Sequence, residues 1–365
     1  DNGLITQAQR AKDMTANSIM AEQEEMNSVM SEYLNVMAED SEIPLPDTRS
    51  EIAKARDEET VFGTTVSLKD DSGDIVWIPG EFKVAKDSAT DVDEGVVIED
   101  EKGNQFVWIP VADYTTMYIE AEGTILSGNE VGVAVTTDVY SNIRMRPGDV
   151  GTAGLPNSTL QREPDVLPDQ SYGRGDASTV EGTGIDQIKN VLGISGSTNE
   201  EILNNYAQSL VDEYTATYES IKKYDGFYVG RYELGGTVDN PAVSKGVALT
   251  NVNWYSLKKA CTNLENTKFV QSTMIYGNQW DEIMAWLKAT CFKDDTSKVD
   301  SDSRSWGNYS DSQGDSAVEG YGSKQITGYS EYWKANNIYD LAGNCWERTQ
   351  EASGIYNRVY MRRSL

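Results

Sequence analysis

An α+β chain is what the sequence predicts: a long amino-terminal helix, a β-rich segment, and a larger region where helices and strands mix. Three observations carry this reading. Apolar residues recur every three or four positions up to residue 39, two short runs ending in Trp-Ile-Pro have strand composition, and a capped helical stripe followed by an alternating strand begins near residue 198.

The helix is read over residues 1–39, within a first segment at 1–45. Met26, Val29, Met30, Tyr33 and Met37 form its apolar stripe, which thins backward to Leu4, Ala8, Ala11 and Met14, and Pro44 and Pro46 stop it. Some 35 helical residues span about 52 Å. That is too long for a compact domain unless its first half leaves the globule, so two readings stand: an ordinary docking helix, or a stalk whose stripe is an assembly face packing against copies of itself.

A β-rich segment follows at 60–103. Val61, Val66 and Leu68 favour extended structure, as do Asp74-Ile-Val-Trp-Ile-Pro79 and Phe106-Val-Trp-Ile-Pro110. The repeated Trp-Ile-Pro is an internal echo, with each proline ending a strand or marking an edge. Asp71-Ser-Gly73 and Lys102-Gly-Asn104 read as turns.

The third region, 104–365, carries an insertion at about 145–225, of which 145–198 is rich in Gly, Pro, Ser and Asp and reads as irregular. Thr198-Asn-Glu-Glu201 is a capping box opening a helix with Ile202, Tyr206, Leu210, Tyr214 and Ile221 on one face, which ends near Asp225-Gly226. Gly226-Phe-Tyr-Val-Gly-Arg-Tyr-Glu-Leu234 reads as a strand. Helices are expected near 254–265 and 279–291, a surface loop over 293–330, and a final strand at Arg358-Val-Tyr360.

Charge and composition exclude several functions. The 365 residues carry 59 acidic and 31 basic side chains, a net charge of -28, and such a surface repels a phosphate backbone, so no nucleic-acid partner is expected. There is no histidine, which removes histidine-based triads and histidine-ligated metals. Cys261, Cys291 and Cys345 lack CxxC spacing, and three cysteines allow at most one disulfide within the chain. Twenty Tyr and eight Trp argue for a folded core or a contact surface.

Four segments in fixed order carry a resemblance: Phe106-Val-Trp-Ile-Pro-Val111, Gly226-Phe-Tyr-Val-Gly-Arg-Tyr-Glu233, Val252-Asn-Trp-Tyr255 with Ala260-Cys261, and Asn337-Ile-Tyr-Asp-Leu-Ala-Gly-Asn-Cys-Trp-Glu347. Together they resemble the formylglycine-generating-enzyme, or sulfatase-modifying-factor, domain, a variant of the C-type lectin fold. Gln279-Trp-Asp-Glu282 stands where that family has its E-A-E-W-E helix. The resemblance implies a C-type-lectin-like domain over 104–365. It also implies a Ca²⁺ ion held at Asn344 and Glu347. The family's copper-binding cysteine pair has no counterpart here, and Met361-Arg-Arg-Ser-Leu365 stands where R-G-G-S-W is expected. No catalytic residue is therefore expected, and the chain is read as a non-enzyme.

Asp1-Asn-Gly-Leu-Ile-Thr-Gln-Ala-Gln-Arg-Ala-Lys12 resembles the segment after the apolar helix of type IV pilin-like and pseudopilin proteins of Gram-positive bacteria. This resemblance implies an apolar anchor upstream of Asp1, which would be the chain's link to a membrane. The expectation is an extracellular, non-catalytic cell-surface or filament subunit, a homo-oligomer of helical symmetry, displaying a lectin-fold head for adhesion or coating. The alternative is a secreted or surface module that binds a glycan or protein, with Ca²⁺. Trp306, Tyr309, Tyr321, Tyr329 and Trp333 are its candidate ligand-binding rings, because they sit among Ser, Gly and Asp. Asp294, Asp295, Asp300, Asp302, Asp311 and Asp315 read as a solvated acidic loop that could also collect ions.

Overall fold

The computed structural model describes residues 27–28, 47–114, 184–310, 312, 322–352 and 358–361. Contacts divide the chain into two units, Asp1–Arg49 and Ser50–Leu365. The expected assembly stripe at Met26, Val29, Met30, Tyr33 and Met37 lies outside the described residues, as does Tyr321.

The second unit begins with α1 (Glu51–Asp57), capped by Ser50, whose hydroxyl accepts from Ala53 N at 3.1 Å. Two hairpins follow. β1 (Val66–Lys69) pairs with β2 (Ile75–Ile78), and β4 (Val97–Glu99) pairs with β5 (Gln105–Pro110). The Trp-Ile-Pro echo thus marks the second strand of each hairpin. The turns match as well. Asp70 Oδ1 accepts from the amides of Ser72 and Asp74 at 2.9 and 2.7 Å, and Asp100 Oδ1 from those of Lys102 and Asn104 at 2.8 and 2.7 Å.

The largest sheet is antiparallel, in the order β3-β4-β5-β6, with β3 at Lys83–Val84 and β6 at Gly226–Gly230. It draws strands from both sides of residue 103. Alternation along β5 assigns its faces. Val107 and Ile109 pack with Ile283, Trp286 and Leu287 of α5 (Gly277–Ala289). Trp108 packs with Ile52 and Ala55 of α1 and with Val76 and Ile78 of β2. A strand buried on both faces explains why its sequence is almost continuously apolar.

A third core cluster joins α2 (Gly184–Asn190), α3 (Asn199–Tyr224) and α4 (Trp254–Leu264) through Ile188, Ile202, Tyr206, Ile221, Trp254 and Tyr255. α3 opens on the capping box, with Thr198 Oγ1 accepting from Glu201 N at 3.1 Å, and ends on Asp225 in the left-handed region at φ 53°. The short α2 falls within the stretch read as irregular. It is held there because Ile188 is fully buried against the longer helices.

The remaining elements are β7 (Gly235–Gly236), β8 (Pro241–Ala242), α6 (Ser297–Asp300), β9 (Lys334–Ala335), β10 (Ile338–Tyr339), β11 (Glu347–Ala352) and β12 (Arg358–Met361). The expected fold class is corrected by this arrangement. The described residues form a mixed α/β unit of six helices and several small antiparallel sheets, not a long amino-terminal helix followed by a β-rich region and a C-type-lectin-like domain. The physical reason is strand length. Described strands run two to six residues, so pairing closes within small sheets, and loops and helices supply the rest of the core. No described helix is long and apolar enough to cross a membrane.

Candidate functional site

The chain from Asn336 to Asn344 builds the floor of the site. Asn336, Asn337, Asp340, Gly343 and Asn344 all have positive φ, at 42°, 66°, 59°, 87° and 53°. Asn, Asp and Gly tolerate this region best, which accounts for the composition of the string. Gly343 also has a steric reason: a Cβ there would lie 2.4 Å from the carbonyl oxygen of Asn308. Residues 308 and 343 form a parallel bridge in which Asn308 N donates to Ala342 O at 2.9 Å and Asn344 N to Asn308 O at 3.1 Å.

Asn344 fastens this loop with its side chain. Oδ1 accepts from Gln325 N at 2.9 Å and Asn308 Nδ2 at 3.2 Å, while Nδ2 donates to Glu233 Oε2 at 2.6 Å and Gln325 O at 3.3 Å. The expected Ca²⁺ ligand therefore has its amide committed to the protein. Glu347, the second expected ligand, is half-buried at the start of β11. Among the described residues no group of three or more His, Cys, Asp or Glu is placed to hold a metal. Within the acidic loop Asp300 pairs with Lys288 at 2.7 Å and Asp302 with Arg304 at 2.7 Å, while Asp311 and Asp315 lie outside the described residues.

Two acids meet at this loop, Glu233 from the stretch after β6 and Asp340 from the loop itself. Glu233 accepts from Asn344 Nδ2 and from Cys345 N at 3.0 Å, and burial, then the nearby Asp340 carboxylate, pushes it up to about 7. Asp340 is fully buried. Its Oδ2 accepts from Gly328 N at 2.8 Å and Thr327 Oγ1 at 3.0 Å, and burial raises its pKa.

Beside them runs a cleft of about 500 Å³, lined by Trp77, Phe106, Tyr228, Tyr232 and Phe269, with Glu213, Glu233, Glu265 and Glu347 as its acidic points and Trp346 also on its wall. Glu265 is held by Asn104 Nδ2 and Lys102 Nζ, each at 3.3 Å, and burial, then its contact with Asp100, pushes it up to about 7. Tyr232 stacks on Tyr339 at 5.1 Å, and the backbone of Gly328 passes close against the Tyr232 ring.

The expected ligand-binding rings are placed differently from one another. Trp306, Tyr309 and Trp333 are buried; their reading as surface rings is corrected, because Trp306 packs on Phe292 at 4.9 Å and Tyr309 bonds Ser303 at 2.9 Å. Tyr329 remains 41% exposed and stacks on Trp333 at 5.9 Å. Tyr332 is 61% exposed and Trp346 52% exposed. The bridge between Gly246 and Thr327 brings exposed Val247 beside exposed Ile326. Tyr329 and Tyr332 follow Ile326 along the chain, while exposed Trp346 lies on a separate stretch just after Asn344.

Tyr332 belongs to the same Ser-, Gly- and Asp-rich aromatic run as the candidate rings, whereas Trp346 lies outside it. A Trp beside polar Asn344 and Glu347 in a turn-rich string was the available signal for Trp346. Comparison with protein-family models, curated proteins and solved structures finds no match for this chain.

Proposed function

We propose that the chain is a non-catalytic, extracellular surface or filament subunit whose second unit binds a glycan or protein ligand on an aromatic face. The observations that carry this are the exposure of Tyr329 and Tyr332, which follow Ile326 where that segment bridges to the one bearing Val247, and the exposure of Trp346 on the cleft wall. Contiguous exposed apolar patches mark interaction sites. Rings stack on the apolar faces of sugars and on protein side chains, and the polar atoms among them orient the ligand.

The cleft's acids support a binding role. Glu233 and Glu265 are tied into hydrogen bonds that hold loops together. The net charge of -28 keeps crowded copies apart and soluble, and the resemblance of residues 1–12 to pilin-like segments favours assembly through the first unit.

A glycan and protein-ligand array probed with the intact chain tests the reading. Binding is expected in the wild type and is expected to fall at least about tenfold in Trp346→Ala and Tyr332→Ala, each variant being shown by circular dichroism to retain its fold. A parallel array with chelator reads any Ca²⁺ requirement. Absence of binding on every array, or binding untouched by both variants, refutes the aromatic face as the site.

A further inference from the structure

Lys258 stands on the apolar stripe of α4, one turn after Trp254 and three residues before Cys261, and is only 5% exposed. Its Nζ donates to both carboxylate oxygens of Glu213 at 3.0 Å and to Oε1 of Gln350 at 2.9 Å. Oε1 of Glu213 also accepts from Nε2 of Gln350 at 2.5 Å. One carboxylate therefore touches both the lysine amine and the glutamine amide nitrogen.

The surroundings hold these groups in place. Gln350 is 2% exposed, its backbone N donates to Ile275 O at 3.0 Å, and its Nε2 also donates to Met274 O at 2.9 Å. Glu213 further accepts from Thr273 Oγ1 at 2.5 Å and from the Tyr276 hydroxyl at 3.0 Å. Trp254, Tyr255 and Met274 form the buried cluster around them. Burial pushes Glu213 up, but the Lys258 ammonium and the Thr273 and Gln350 donors outweigh it and hold the carboxyl below its ordinary value.

An amine, a carboxamide and a carboxylate in contact with both nitrogens are the parts that amide exchange requires, and fixed contact supplies the orientation. We infer that Lys258 and Gln350 form an intramolecular isopeptide bond, joining α4 to β11, with Glu213 as the proton carrier. Glu213 takes a proton from the Lys258 ammonium, and the freed Nζ attacks Cδ of Gln350. The Nζ–Cδ bond forms as the Cδ–Nε2 bond breaks. Glu213 passes its proton to the departing Nε2 and takes one from the nitrogen that becomes the amide. That proton then goes to the ammonia, which leaves as ammonium. Lysine ammonium and glutamine amide are consumed, isopeptide and ammonium ion are produced, and nothing is oxidised or reduced. Burial of Gln350, which is 2% exposed, limits its hydrolysis to glutamate.

Mass spectrometry of the intact, denatured chain tests this without any variant. The expected mass is that of the sequence less one ammonia, and proteolysis is expected to release one branched peptide joining the fragments that carry Lys258 and Gln350. A chain at full sequence mass with the two fragments separate overturns the bond. Deamidation or succinimide formation would give no branched peptide and would also overturn it. Lys258→Arg is expected to show full mass. Glu213→Gln, which keeps the side-chain shape, is expected to show full mass as well, and a Glu213→Gln chain that still yields the branched peptide overturns the role given to Glu213.

Discussion

At the scale of single residues, Glu233 couples the site to pH. Its folded pKa of about 7 lies above the ordinary 4.5, through burial first and the Asp340 charge second. A carboxyl raised on folding favours the protonated form, so the stability it contributes is complete below pH 4.5 and is lost as pH rises through about 7. Glu265, also at about 7, acts with the same sign. Glu213, lowered from 4.5, acts oppositely and only at lower pH. Urea unfolding is therefore expected to lose stability across this window, with Glu233 accounting for at most about 3 kcal/mol. Glu233→Gln should flatten that slope, and an unchanged slope would show that another group sets it.

At the scale of elements, the turn-rich loop from Asn336 to Asn344 is held by backbone conformation and by one side chain. Asn344 combines a φ of 53° with hydrogen bonds to Asn308, Gln325 and Glu233. Asn344→Ala removes the bonds and leaves a Cβ residue in the left-handed region, and is expected to cost about 3 kcal/mol. Asn344→Gly removes the same bonds but relieves the strain, and is expected to cost about 1 kcal/mol less. Chemical denaturation of the two variants separates the contributions; equal losses would show that the conformation carries no cost. The β1–β2 and β4–β5 hairpins show the same logic on a smaller scale, since Asp70 and Asp100 each hold a turn by bonding two amides.

At the scale of the molecule, the three cysteines report on its layers. None is in a disulfide, and Cys291 is exposed whereas Cys261 and Cys345 are half-buried. Burial pushes Cys261 and Cys345 each up to about 12, which leaves almost no thiolate at neutral pH. Alkylation followed by mass spectrometry should modify Cys291 first, and Cys261 only as fast as the helical cluster around it opens. Labelling of Cys261 as early as Cys291 would show that α4 opens independently of the rest.

Much of this was legible in the chain because it depends on neighbours in sequence. The Thr198 cap, the alternating β6 strand and the Asp-led turns are local, and local bonding and side-chain period write them directly into residue order. Lys258 also left a trace, as a charge inside an apolar stripe, but its partners are 45 and 92 positions away and no spacing rule connects them. The same distance separates a ring that looks exposed from one that is. Trp306 and Trp333 share the Ser- and Gly-rich surroundings of Tyr329 and Tyr332, yet packing against residues elsewhere buried the first pair and left the second in solvent. The sequence by itself determined the acidity, the absence of histidine, the caps and the turns. The tertiary structure alone decided how the short strands join into small sheets, which aromatic rings face outward, and which acids meet a lysine or each other, because those outcomes depend on burial and contact between segments far apart in the chain.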